Sequence, residues 1–541
     1  MQTPLPYQRC QQELEDLLRS QYPLIFLRSA EETRAVNCAI ASHQSLTYSS
    51  DIPDGELARW SSNNGFQKRT GEPGKAVWEI ISSPLPTRAD PIQHALGFLS
   101  ERLEKQVIEN LASQHTYILP DWSTFVHPDS HFLARQLKEL IIAIDQKRPR
   151  PRMSLIVIGS DWQIPSILRN SIHILDLPLP IGEELYQDVF RVAVSKYNLP
   201  DEEARRLAEQ AQGMPLQAAS QTAKLITTRN LWEYPHQAGE LILEVKKQEI
   251  RKTGGLEYFE PQGQGLNEVG GLQNIKDWIV NRQQWFEQDV HPQMRPRAIL
   301  LEGYPGCGKT FIARAIAQQW RVPQINFEIS RLQSKWVGES ESNTFQALRA
   351  IEASAPNILF MDEIEKAFAG IGGDTSGVNT RQFGTFLSWL NDHQYSIFFI
   401  ATSNNRNALP AELFRAGRFD EIFIIMPPNT DERREIIRKR SSAYKLPLIT
   451  QNILTFLVEN SNGFSGAELD KLVKEAKYLA GFGKPPTDSH WRQALKEISP
   501  QYKSRKMQEL LRNYRQHLEE RGGKPASVIE VGFWESLIVH G

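Results

Sequence analysis

The residues with the clearest chemical signature form the run Gly303-Tyr304-Pro305-Gly306-Cys307-Gly308-Lys309-Thr310. Its spacing, Gly-x4-Gly-Lys-Thr, suits a backbone wrapped around phosphates. Glycine permits the tight turn, and the N–H groups from Gly306 to Thr310 can face an anion where a helix begins. Lys309 is expected to reach the β- and γ-phosphates, and the Thr310 hydroxyl to ligate Mg2+. Downstream, Asp362 and Glu363 close the apolar run Ile358-Leu-Phe-Met361. An aspartate at a strand's carboxyl end is placed to hold Mg2+ through its water shell. The glutamate beside it is placed to accept a proton from the attacking water. A further apolar run ends in Ala401-Thr-Ser-Asn-Asn405, where an amide can hydrogen-bond the attacking water or the γ-phosphate. Asn404 is the expected residue, ahead of Asn405. The chemistry these groups spell is binding and hydrolysis of ATP, with Mg2+.

Such groups need elements that bring them together. Arg297 to Leu301 reads as a short strand, followed by the glycine loop and a helix from Phe311 to Trp320. Ile358–Met361 and Ile397–Ala401 are continuous apolar runs, as buried parallel strands require, with amphipathic helices between them. This is an α/β doubly wound pattern, in which strand tips converge on one crevice. The first half shows a fainter version of the same order. Tyr22–Leu27, Thr116–Leu119 followed by Asp121, and Ser154–Gly159 read as strands. The stretch Ser29 to Arg34, where a phosphate loop would sit, has neither glycine nor lysine. Leu175–Pro178, the helix Glu183–Tyr197 and the run from Gly213 also parallel Ile424–Pro427, the helix Asp431–Tyr444 and the run from Gly463. Either two α/β halves agree by chance, or a duplicated module has lost its first nucleotide site; the matched spacing favours duplication. The tail from Tyr502 to His517 reads as a basic helix with Met507, Leu510, Tyr514 and Leu518 on one face. It is expected to be a docking helix with a solvated basic face, ahead of a nucleic-acid binder.

At 541 residues the chain exceeds a single core. Its 40% hydrophobic and 23% charged content are ordinary for a soluble globular protein. A net charge of -2 gives no whole-protein attraction to nucleic acid or an anionic membrane, and no DNA-binding motif stands out. The three cysteines, Cys10, Cys38 and Cys307, are too few and scattered for a disulfide framework or zinc cluster, which fits a reducing compartment. Glu13, Glu15 and Asp16 in a polar start argue against a signal or transit peptide. No apolar run approaches the roughly 20 residues that span a bilayer.

Three further segments carry a specific resemblance. Leu409-Pro-Ala-Glu-Leu-Phe-Arg415-Ala-Gly-Arg418-Phe-Asp420 resembles the second region of homology of AAA ATPases. Gly270-Gly271 resembles that family's adenine-side segment, and Gly463-Phe-Ser-Gly-Ala-Glu-Leu469 the start of its lid helix. In detail the chain resembles the cyanobacterial and plastid-encoded reading-frame AAA proteins. Those also have a degenerate first half and a tail with a Pro-Ala-Ser segment, here Pro525-Ala-Ser527. The resemblance implies an AAA+ P-loop NTPase fold, a parallel sheet with a helical lid, preceded by a degenerate AAA+-like α/β domain. The expected boundaries are 1–177 for the degenerate domain, 178–245 for its helical lid and 246–265 for a linker. The ATPase α/β subdomain is expected at 266–426, its lid at 427–499 and a C-terminal helical tail at 500–541.

The resemblance also implies a ring, usually of six subunits, with ATP at each interface. Arginines matching Arg415 and Arg418 then reach the neighbour's γ-phosphate, where a guanidinium supplied in trans stabilises transition-state charge; otherwise they are surface arginines after a turn. Ala467 stands where many relatives have a nucleotide-sensing arginine. Trp336, Val337 and Gly338, within Ser334–Glu341, resemble the aromatic–hydrophobic–glycine pore loop of protein-threading motors, unless Trp336 packs on its own domain. Gly370–Gly377 fits a second inner-pore loop or a flexible connection. Cys307 sits at a helix N-terminus, which lowers a thiol's pKa and opens a redox route to inhibition; the alternative is a small residue tolerated there. The expected function is an ATP-driven ring that remodels or threads a protein client. The alternative is a nucleotide-gated scaffold with slow turnover. The expected setting is the cytoplasm, or the plastid stroma for an organelle-encoded chain, with self-association, a protein client and no nucleic acid.

Overall fold

The structure, a computed structural model, describes residues 5–49, 52–71, 77–82, 90–109, 112–288, 290–328, 331, 339–367, 378–415, 417–520, 522–530 and 532–538. The chain divides into two compact units, Met1–Glu249 and Ile250–Gly541.

In the first unit the strands are β1 (Leu24–Arg28), β2 (Asp54–Ser61), β3 (Gly65–Thr70), β4 (Val77–Ile80), β5 (Gln114–Pro120), β6 (Met153–Gly159) and β7 (His173–Asp176). They lie in the order β4-β3-β2-β5-β6-β1-β7. The run from β2 to β7 is parallel, and β3 and β4 add an antiparallel hairpin at the edge. Helices cover both faces, so β1 is apolar from Leu24 to Leu27. Leu24 and Phe26 enter one core, while Ile25 and Leu27 enter the other. Helices spanning Gly182–Lys196, Asp201–Ala211, Leu216–Thr228 and Pro235–Lys252 form a separate helical core.

The second unit holds β8 (Leu256–Phe259), β9 (Ala298–Gly303), β10 (Gln324–Phe327), β11 (Asn357–Met361), β12 (Ile397–Ser403), β13 (Glu421–Ile425) and β14 (Lys524–Pro525). Its order is β14-β13-β9-β12-β11-β10-β8. Counting each unit's central parallel strands along the chain, both sheets read fifth, first, fourth, third, second. The expected repetition of parts is therefore a shared topology. A helical lid follows, from Thr430–Ala443 to Asp488–Glu497. Among the described residues no helix is long and apolar enough to cross a membrane.

One expected stretch reads differently in the structure. The stretch 246–265 is not a linker. The helix Pro235–Lys252 runs into it, and β8 pairs antiparallel with β10. Leu256 and Tyr258 alternate into the core, and the Gly254-Gly255 turn that feeds them, with φ of 72° and 62°, masks so short a strand. The tail at 500–541 holds the expected docking helix and also adds a strand to the sheet. The helix Arg505–Glu519 packs on the main sheet, β14 extends that sheet beside β13, and Ala526 N–H donates to the Ile424 carbonyl at 3.0 Å. Its buried stripe is Gln508, Leu511, Tyr514 and His517, with Met507, Leu510 and Leu518 packed at the margin. A helix sunk into a core buries a wider stripe than one resting on a surface.

Candidate functional site

Sheet register brings the reactive groups level. Ser403 lies opposite Glu302 and Ala401 opposite Met361, so the chain leaves β9, β11 and β12 at one edge. Beyond β9, Tyr304 N–H donates to the Ile425 carbonyl at 3.0 Å, and the loop turns back through Gly306 and Gly308, with φ of 77° and 91°. A side chain at Gly306 would place its Cβ 3.1 Å from both the Ala467 Cβ and the Ser465 Oγ, so glycine is required for shape as well as for φ. Gly308 then precedes the helix Lys309–Trp320, whose free N–H groups and dipole favour an anion.

Lys309 is buried and donates to the carbonyls of Gly303 at 2.7 Å and Tyr304 at 3.3 Å, and to Asn404 Oδ1 at 2.8 Å. Burial draws its pKa below the usual lysine range, against the pull of nearby acids. Thr310 Oγ1 donates to Asp362 Oδ2 at 3.3 Å, and Thr402 Oγ1 donates to the other carboxylate oxygen of Asp362. Glu363 has φ of 47°, with its N–H held by Thr402 Oγ1 at 2.8 Å. Its carboxylate accepts from Asn404 Nδ2 at 2.9 Å and pairs with Lys366. The hydrogen bond from Lys366 holds Glu363 below the usual carboxylate range, so it is ionised at neutral pH. Asn404 thus spans Lys309 and Glu363. Asn405 instead accepts from Asn407 N–H at 3.2 Å and caps a turn.

These groups line a crevice of about 590 Å³ that runs from the phosphate loop to the lid. Val269, Gly270 and Leu272 form its far wall. Beside them Gly271 N–H donates to Glu435 at 2.8 Å and Leu272 N–H to Glu432 at 2.8 Å, and Gly271 itself does not line the crevice. The lid helix Gly466–Ala480 is capped by Ser465 and Glu468, and Ala467 N–H donates to the Gly306 carbonyl at 2.9 Å. Among the described residues no group of three or more His, Cys, Asp or Glu could hold a metal by itself. The Thr310–Asp362 pair does fit Mg2+, a hydroxyl and a carboxylate whose set phosphate oxygens and water would complete.

Of the two readings of Cys307, its surroundings favour a small residue tolerated in the loop over a redox role. Its thiol is buried, and burial pushes it up to about 12, outweighing the helix N-terminus. A protonated, covered thiol is a poor nucleophile. Arg415 is exposed and Arg418 donates to the Glu412 carbonyl of its own chain; neither lines the crevice. Trp336, Val337 and Gly338 lie outside the described residues, as does Gly370–Gly377. The sequence reading missed Thr402, Lys366 and Glu365, which accepts from Asn404 N–H at 3.1 Å. Only the position of Thr402 at a strand end, and the two residues between Glu363 and Lys366, hinted at them.

The corresponding place in the first unit is filled by its own side chains. Glu31 accepts from Leu216 N–H at 2.5 Å, at the start of the helix Leu216–Thr228, where the second unit sets Ala467 on Gly306. Arg34 donates to Glu184 at 2.6 Å, and the Glu31, Arg34 and Glu184 side chains are only 5–7% exposed. A carboxylate there occupies the helix N-terminus that an anion would need. Calorimetry of the full chain with a non-hydrolysable ATP analogue is therefore expected to return a stoichiometry of about one, since packed side chains fill the place where the first unit's phosphate loop would sit. A value near two would contradict this.

Comparison with known proteins agrees with this geometry. Residues 299–427 match the family model described as the ATPase family associated with various cellular activities (AAA). Residues 10–177 match the model of the SpoVK-like AAA ATPase N-terminal domain. Among curated relatives, the AAA domain-containing protein ycf46 of Guillardia theta is 30% identical over 86% of this chain and 86% of its own. Its counterpart in Trieres chinensis is 33% identical over 86% of this chain and 88% of its own. That of Pyropia yezoensis is 31% identical over 87% and 89%.

Proposed function

The chain belongs to the AAA ATPase family, and from this premise we propose that it is a Mg2+-dependent ATP phosphohydrolase working as a ring that threads or remodels a protein client. The observation that carries the hydrolytic part is the meeting of Lys309, Thr310, Asp362, Glu363 and Asn404 at one crevice. Lys309 and the N–H groups from Gly306 to Thr310 bind the phosphates, and Gly270-Gly271 closes the base side with Pro305 and Cys307 shaping the loop. When bound, Mg2+ neutralises phosphate charge, held by Thr310 and Asp362. Glu363, ionised and aimed by Asn404, takes a proton from the attacking water. Arg415 and Arg418 complete the site from a neighbouring chain. Their distance from their own crevice supports that reading, because an in-cis role would put them in its lining.

Threading rests on Trp336, Val337 and Gly338. A large aromatic grips an extended chain through apolar contact that is indifferent to sequence. Proteins captured from a lysate on a Glu363→Gln ring supply the client for the test. Trp336→Ala should then hydrolyse ATP near the wild-type rate while client processing falls about tenfold, the loss expected for one aromatic anchor. Undiminished processing would favour the nucleotide-gated scaffold.

A further inference from the structure

The C-terminal helix Arg505–Glu519 does not line the crevice, yet it is fastened to the strand tips that do. Tyr514 is buried to 1%, and its hydroxyl donates a 2.6 Å hydrogen bond to the backbone carbonyl of Asn404. One turn on, His517 Nδ1 lies 3.0 Å from Glu302 Oε1. Glu302 is fully buried at the end of β9, directly before Gly303, and its other oxygen faces Arg406 at 3.9 Å. Arg406, two residues beyond Asn404, donates in turn to the carbonyl of Gly522, past the end of the helix. Successive turns of one helix therefore tie down the tip of β12 and the tip of β9. Burying the Glu302 carboxylate costs solvation, which His517 and Arg406 offset only in part.

Asn404 stands one residue beyond β12, where the sheet ladder no longer dictates the backbone. Its amide must nevertheless point both ways, its oxygen to Lys309 at 2.8 Å and its nitrogen to Glu363 at 2.9 Å. A side chain of so few bonds follows its backbone. Loosening the carbonyl would turn the amide away from one partner or the other.

We propose that Tyr514 is a positioning residue for ATP hydrolysis, its hydroxyl holding the Asn404 backbone so that the amide spans Lys309 and Glu363. This rests on the hydrolytic reading given above. The C-terminal segment thereby becomes a working part of the nucleotide site, contributed by the chain's own tail. Lys309 keeps its bonds to Gly303 and Tyr304 without Tyr514, so nucleotide affinity does not depend on the hydroxyl.

Tyr514→Phe removes the hydroxyl and leaves the ring in the core. With the full-length chain, kcat for Mg-ATP is expected to fall about tenfold, and the Kd of a fluorescent ATP analogue to stay within about twofold, as for a group that acts on alignment and not on binding. The unchanged Kd reports a folded crevice in the variant. In an Asn404→Ala background the same change should lower kcat no further, because its influence passes through Asn404. Wild-type kcat in Tyr514→Phe, a parallel loss of kcat and affinity, or multiplying effects in the double variant would each overturn the proposal. If Asn404→Ala alone turned over at the wild-type rate, the hydrolytic assignment of Asn404 would fail first, and this inference with it. Loss in Asn404→Ala without loss in Tyr514→Phe would remove the inference and leave that assignment standing.

Discussion

Glu363→Gln is expected to keep ATP affinity within about twofold while kcat falls by about 10²–10⁴, the usual contribution of a positioned general base. That corresponds to about 3–5 kcal/mol of transition-state stabilisation. The glutamine is close in shape and retains an oxygen to accept from Asn404 Nδ2, so the wall of the crevice stays in place. Lys309, Thr310 and Asp362, which carry phosphate and Mg2+ binding in the proposed function, are untouched. What is lost is the negative charge that can take a proton. The pH profile carries a sign as well. The hydrogen bond from Lys366 holds the Glu363 carboxyl below the usual carboxylate range. Glu363 is thus already ionised at neutral pH, and turnover governed by it should decline only as pH drops below that range and the carboxylate protonates. Steady-state hydrolysis and equilibrium binding of a fluorescent ATP analogue check both parts. Hydrolysis at the wild-type rate by Glu363→Gln would remove Glu363 from the base role.

The second large effect concerns Arg415 and Arg418. Substitution of either by alanine is expected to cost about 10³-fold or more in kcat, the scale measured for a guanidinium that meets the transferring phosphoryl group. Both side chains lie outside the crevice of their own chain, Arg415 exposed and Arg418 on the Glu412 carbonyl. The loss should therefore be repairable from outside. Mixing Arg415→Ala chains with Glu363→Gln chains, each inactive alone, creates interfaces that pair an intact Glu363 with an intact Arg415, and activity should return in part. Specific activity of the wild-type chain should also rise with protein concentration, because a lone chain lacks the arginine. Single variants that keep the wild-type kcat would make these surface arginines without a catalytic part. Inactive mixtures with specific activity independent of concentration would overturn the supply in trans.

Much of the site was legible because its chemistry is local. The phosphate loop needs glycines at two positive-φ positions and a lysine and hydroxyl opening a helix, all within eight residues. Asp362 and Glu363 announced themselves by closing an apolar strand, and Asn404 by standing at the end of another. In the first unit β1, β5 and β6 were readable for the same reason, since a buried parallel strand writes its burial into a continuous apolar run. The more polar β2, β3 and β4 were not read. The want of glycine and lysine where a phosphate loop would sit showed in Ser29 to Arg34. What occupies the place did not, because Glu31 meets Leu216 across 185 residues of chain.

The remaining features depend on burial or on partners distant in sequence. β8 hid in a glycine-rich turn because two inward residues are too few to show a period. The pKa of Cys307 reversed direction because desolvation outweighed a helix end, and desolvation is a property of what packs around a group. Tyr514 looked like one member of an amphipathic stripe. Its bond to Asn404 spans 110 residues and exists only because the tail folds onto the sheet. The sequence by itself determined the chemistry available to this protein: the phosphate cradle, the acid pair and the order of the strands that present them. The tertiary structure decided how those groups are aimed and charged, since orientation and solvation come from contacts that no local pattern of residues records.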